Sequence, residues 1–174
     1  MKVRDKLIYT AARLFHQQGY NSTGINQIID EAGIAKGSFY YNFKSKEELC
    51  IAYLEFRHEH WFTKLKQYVK KHVNDTSEVL CAFDFLIFMN ELENFRGCSF
   101  LNILSELNEG DEKILQVIQS HKNDLRTYFN DRINDATVGD HVYLLFESAL
   151  IESQLFKDQW PIIKSKNIVQ SLIN

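Results

Sequence analysis

The sequence predicts an all-α protein: an N-terminal three-helix helix-turn-helix domain followed by a larger C-terminal helical domain. Three observations carry that expectation. One proline and seven glycines in 174 residues are too few for the tight turns of an all-β chain. Apolar residues recur along much of the chain at the spacing of a helix face. Charge is also divided: residues 1–46 hold seven Lys/Arg against three Asp/Glu, a net of +4, while residues 47–174 hold thirteen against twenty, a net of −7. A basic head on an acidic body is the charge footprint of a nucleic-acid-binding module. The expected domains are 1–46 and 47–174.

Within the head, residues 3–18 (VRDKLIYTAARLFHQQ) read as an amphipathic helix with Leu7, Ile8, Ala11, Ala12, Leu14 and Phe15 inward, stopped by Gly19. Ile25, Ile28, Ile29 and Ala32 fall at i, i+3, i+4 and i+7 and make a second helix. Thr23 is its expected N-cap and Gly33 its left-handed stop. A third short helix spans about 36–43, and Ser45 with Glu48 three residues on forms a capping box for a fourth. Two short helices joined by a glycine-containing turn describe a helix-turn-helix.

The run GYNSTGINQIIDEAGIAKGSFYYNFKSKEEL resembles the N-terminal signature of the TetR family of transcription regulators. Gly19, Tyr20, Thr23, Ile28, Ala32, Gly33, Lys36, Gly37, Tyr40, Phe43, Lys46 and Leu49 all match its usual pattern, GYxxTS-V-xxIAxxAGVSKGTLYxHFxSKEEL. The resemblance implies that Lys36, Gly37, Ser38, Tyr40, Tyr41 and Asn42 face the major groove of double-stranded DNA; the competing reading has Tyr40, Tyr41 and Phe43 pack the head, which the apolar character of buried positions favours for Phe43 and less for the tyrosines. The resemblance also puts Thr23 and Lys46 at helix N-termini, where backbone N–H groups favour phosphate. Lys46→Ala is then expected to weaken binding to every DNA sequence and lower the salt slope by about one. Three departures bear on sequence preference: Ala35 stands where the family has a capping Ser, Asn42 where it has His, and Gly24 where it has Ser or Thr.

The body continues as helices. Residues 47–73 form a long one, 73–77 (VNDTS) a polar break, and 78–92 a very apolar helix expected to be buried nearly all round. Shorter and longer helices follow at 98–107 and 112–134. Residues 137–140 are read as a break, 141–156 as an apolar helix, and Trp160-Pro161 as the start of the last.

Cys98, Asn102 and Glu106 lie at successive i+4 steps and share a face. With Trp61, Phe85, Phe88 and Tyr128 as walls they suggest a pocket for a small-molecule effector of apolar or aromatic character. The competing reading is a solvent-touching helix with Cys98 as a small core residue. Residues 96–107 (RGCSFLNILSEL) also resemble the "GC…N…E" helix of one branch of the TetR family; because some regulators in that branch respond to electrophiles, Cys98, at a helix N-terminus, is also a candidate reactive thiol. One three-helix head reaches few base pairs, which calls for a homodimer on a near-palindromic site. The segments 114–133 and 142–156 are the candidate dimer helices, with Tyr143, Glu147, Ser148, Ile151 and Leu155 at the interface.

Other classes find little support. Three cysteines without CxxC spacing indicate neither a disulfide framework nor a zinc site. His58-Glu59-His60 is not HExxH, and a single Glu-x-x-His at residues 55–58 does not make a di-iron bundle. No enzyme activity, cofactor, metal or membrane association is expected, and the absence of a signal-like N-terminus places the chain in the cytoplasm. The sequence therefore reads as a ligand-responsive DNA-binding transcriptional regulator, a repressor released from a palindromic operator by an inducer. The alternatives are an activator or co-regulator of the same fold, or a helical ligand-binding or catalytic bundle with a vestigial head.

Overall fold

The structure is a computed structural model that describes residues 1–73 and 77–174. Among these residues it contains nine α-helices and no strand: α1 (Val3–Gln18), α2 (Ile25–Ala32), α3 (Lys36–Asn42), α4 (Lys46–His72), α5 (Glu78–Leu92), α6 (Ser99–Leu104), α7 (Glu112–Asn130), α8 (Ala136–Phe156) and α9 (Trp160–Ile173). The all-α expectation holds. Of the expected polar break at 73–77, residues 74–76 lie outside the described residues. The chain forms two compact units, one of Met1–His60 and Ser99–Ser120, the other of Trp61–Cys98 and His121–Asn174.

In the first unit, α1 packs on both α2 and α3. Leu7, Ala11, Leu14, Phe15, Ile28 and Phe39 are buried there, so the face predicted for residues 3–18 is the one used. Phe15 meets Tyr20 and Tyr53 edge to face, with ring centroids 5.4 and 5.5 Å apart. Gly33 closes α2 in the left-handed region, φ 58°, with its amide and that of Ile34 returning to carbonyls of the last turn. Thr23 is not the cap of α2. Gly24 occupies that position without a side-chain bond, and the Thr23 hydroxyl donates instead to the Gly19 carbonyl at 2.6 Å. The capping box of α4 is present in a shifted form: Ser45 Oγ accepts from the Glu48 amide at 3.1 Å, and Glu48 Oε2 accepts from the Lys44 amide at 2.6 Å.

In the second unit, α5 packs against α8 and α9, and α8 against α9. Its core gathers Phe62, Leu65, Phe83, Phe85, Phe129 and Phe146. α5 is buried on most sides, as its composition predicts. Residues 137–140 are not a break; they are the first turn of α8. Asp135 Oδ1 caps it by accepting from the Thr137 and Val138 amides at 2.8 and 3.2 Å. Gly139 is a packing glycine, since a Cβ there would collide with the Asn130 side chain.

Candidate nucleic-acid interface and the buried cluster of the body

α3 is short and two-sided. Its Phe39 is fully buried, and Phe43, just beyond its end, is buried with the Arg4 guanidinium 5.3 Å above its ring. The opposite side displays Lys36, Gly37, Tyr40 and Tyr41, the last 85% exposed, while Ser38 and Asn42 are half-buried. The Asn42 amide donates to the Ser38 carbonyl at 2.8 Å, which fixes the side chain against its own helix. Lys44 Nζ similarly donates to the Tyr40 carbonyl at 3.1 Å. A run of donors and slim aromatics on one outward face, backed by phenylalanines, is chemically suited to phosphates and base edges.

Two residues assigned to phosphate from sequence are engaged elsewhere. Thr23 is fully buried, with its hydroxyl on Gly19 and its amide donating to the Tyr20 carbonyl. Lys46 Nζ donates to the carbonyls of Tyr20 and Thr23 at 3.0 and 3.1 Å and lies 4.2 Å above the Tyr20 ring. Burial lowers the Lys46 pKa, and it raises that of the Tyr20 phenol beside it. The physical reason is the same for both: the turn at 19–23 has inward-facing backbone groups that need partners, and the nearest donors supply them. Lys36 is the exposed lysine of α3.

The residues expected to form one pocket divide between the units. Asn102 and Glu106 belong to the first. Glu106 is committed there, its two carboxylate oxygens accepting from the Tyr20 and Asn21 amides at 3.1 and 2.7 Å. Trp61, Phe85, Phe88, Cys98 and Tyr128 belong to the second. Trp61 stands edge to face with Phe85 at 5.4 Å and His121 at 6.0 Å. Phe88 faces outward, and Phe85 is core. Tyr128 is buried beneath the Arg132 guanidinium, with its hydroxyl unpaired. A cavity of about 380 Å³ lies elsewhere in that unit, lined by Ser77, Val79, Arg132, Ile133, Val138 and Leu172 among others, and includes none of the expected pocket residues.

What does converge in the second unit is a cluster the sequence reading had split. Lys122 Nζ lies 2.5 Å from Glu147 Oε2 and 3.5 Å from Cys98 Sγ, and the lysine and glutamate side chains are each only 13% exposed. Burial alone would push the Lys122 ammonium down, but the Cys98 sulfur and the Glu147 carboxylate outweigh it and hold its pKa above the ordinary value. The other carboxylate oxygen, Oε1 of Glu147, is buried without a hydrogen-bond partner. Glu147 had been assigned to a dimer interface; in the structure it points at Lys122. Lys122 was missed, although one signal was available: it follows buried Ile118 by one helical turn and so sits at the edge of the apolar face of α7.

Comparison with known proteins now bears on these surfaces. The sequence profile of bacterial regulatory proteins of the tetR family matches residues 7–53, the segment that carries α1 to α3. The HTH-type transcriptional regulator LmrA of Bacillus subtilis is 36% identical over 99 residues, 55% of this chain and 48% of LmrA. The negative transcriptional regulator IcaR of the icaADBC biofilm operon in Staphylococcus epidermidis is 23% identical over 159 residues, 91% of this chain and 82% of IcaR. The crystal structure of SCO4454, a TetR-family transcriptional regulator from Streptomyces coelicolor, superposes with a TM-score of 0.86 at 21% identity, covering 98% of this chain and 94% of that one. The chain spans about half or less of the length of the first curated relatives that it matches.

Proposed function

From the premise that the chain belongs, through its N-terminal segment, to the tetR family of bacterial regulatory proteins, we propose that it is a ligand-responsive repressor that binds a near-palindromic DNA site as a homodimer. The observation that carries the reading is the outward face of α3. Lys36, Gly37, Ser38, Tyr40, Tyr41 and Asn42 line one exposed or half-exposed side of a short helix held by buried Phe39. A helix of this kind, placed second after a left-handed glycine turn, is the reading element of a helix-turn-helix. Repression is favoured over activation by the role of IcaR as a negative transcriptional regulator, since IcaR aligns along 91% of this chain.

The homodimer is supported by α8 and α9. Leu144, Ser148, Ile151 and Leu155 fall at i, i+4, i+7 and i+11 on one exposed stripe of α8, and α9 adds exposed Trp160, Ile163 and Ile168. The interface is accordingly assigned to α8 with α9 in place of α7, whose Ile114, Ile118, Leu125 and Phe129 are buried. Tyr143, half-buried on α8, flanks the Lys122–Glu147 pair.

The effector site is assigned to the second unit, around Trp61, Cys98, Lys122 and Glu147. The unpaired Glu147 oxygen asks for a hydrogen-bond donor, and the Tyr143 ring, whose phenol feels the Glu147 charge, offers an apolar or aromatic body a face. An inducer there must favour the DNA-free form, so DNA must weaken inducer binding by the same factor. Selection of duplexes from a randomised library, followed by footprinting of the enriched sequence, tests the proposal. Two half-sites related by a two-fold are expected; enrichment of no sequence would refute it.

A further inference from the structure

The turn between α1 and α2 is held from two sides by opposite charges. On one side, Lys46 Nζ takes the carbonyls of Tyr20 and Thr23. On the other, Glu106, two residues beyond the end of α6, takes the next-door amides with both carboxylate oxygens. The Asn21 side chain closes the circuit by donating from Nδ2 to the Glu106 backbone carbonyl at 2.7 Å. Gly19 accommodates this carboxylate: its φ is 93°, and a Cβ on it would lie 2.8 Å from Glu106 Oε1. Among the described contacts, a lysine 23 to 26 residues away and a glutamate 85 to 86 residues away in sequence thus fix a five-residue turn.

This turn sets the entry of α2, and α2 carries α3. The amides of Gly33 and Ile34 return to the last turn of α2, so the two helices are joined by a short, hydrogen-bonded left-handed corner with no slack between them. Charge-assisted bonds from a carboxylate to backbone N–H groups are among the stronger hydrogen bonds a protein makes. We propose that Glu106 is a positioning residue for DNA reading: by clasping the 20–21 amides it fixes the pose of α2 and α3, and it makes residues 99–107 a handle on that pose. The inference rests on the DNA-binding reading above.

The test uses the full chain and two probes, a duplex enriched by the wild-type protein from a randomised library and a duplex of mixed sequence. Glu106→Ala is expected to lose about tenfold of the preference for the enriched duplex, the size typical of residues that act through others. Affinity for the mixed duplex should stay within about twofold, because no basic group of the head is touched. Hydrogen exchange at the Tyr20 and Asn21 amides should rise with it. Glu106→Gln keeps one acceptor but turns an NH₂ toward the second amide, so it should lose about threefold and still fold. Preference unchanged in Glu106→Gln, or lost equally from both duplexes, overturns the inference. Enrichment of no duplex by the wild-type protein overturns the DNA-binding reading itself, and this inference with it.

Discussion

At the scale of single residues, the head contains two lysines with opposite fates. Lys36 is exposed on the first turn of α3, whereas Lys46 donates inward to Tyr20 and Thr23. A cation that has replaced its water with protein carbonyls releases no counterion when DNA arrives. Lys36→Ala should therefore lower the slope of log affinity against log salt by about one. Lys46→Ala should leave that slope unchanged and lower the melting temperature, read in the same salt titration and by thermal unfolding. Asp140 offers a prediction about pH. The Arg126 guanidinium grips it at 2.7 and 2.6 Å and the Asn130 amide adds a bond at 3.2 Å, which together hold its carboxyl down to about 2. A folded pKa below the unfolded one contributes stability that is complete above the ordinary 3.8 and lost as pH falls toward 2. Asp140→Asn should thus be less stable than wild type at neutral pH, with the gap closing across that window in denaturant titrations. A constant gap would mean that the carboxylate charge is not what the pair contributes.

At the scale of elements, α3 is under-capped. Its N-cap, Ala35, has the extended backbone of a cap (φ −73°, ψ 145°) but no side-chain acceptor for the first-turn amides. Ala35→Ser should stabilise the protein by about 1 kcal/mol, measured by chemical denaturation. No gain would show that the first turn is already satisfied by the Ser38 amide's bond to the Ala35 carbonyl at 2.9 Å. This weakness was legible in the sequence because capping is local chemistry, and so were α1, α5 and the start of α9, whose periodicity and proline placement are local too. The misreadings share a different cause. Thr23 looks like a cap until the Gly19 carbonyl competes for its hydroxyl. Residues 137–140 look like a break until Asp135 is seen to cap them and Asn130 to pack on Gly139. Glu106 and Lys122 took their roles from partners up to eighty-six residues away, which spacing along one helix does not report.

At the scale of the molecule, α8 and α9 expose a set of large apolar side chains. Leu155 is 68% exposed, Leu144 61% and Phe156 55%, with Trp160, Ile163 and Ile168 near half. Isolated exposed leucines are ordinary, but a stripe at helical spacing along α8, with further exposed apolar side chains on the helix packed against it, is the kind of surface that another covers. Because α8 and α9 pack on each other, a two-fold copy of the pair would bury the exposed apolar residues against themselves. Ile151→Glu with Leu155→Glu places two carboxylates on that stripe without touching buried Val142, Phe146 or Ala149. The double variant should sediment at half the mass of the wild-type protein if the proposed homodimer forms through this stripe, with its helical circular dichroism retained. If DNA reading needs two heads at once, it should also lose the enriched duplex while keeping the salt-dependent affinity of a single head for mixed sequence. A variant that stays dimeric would move the interface off α8, and the partner of the stripe would then be something other than a second copy of this chain.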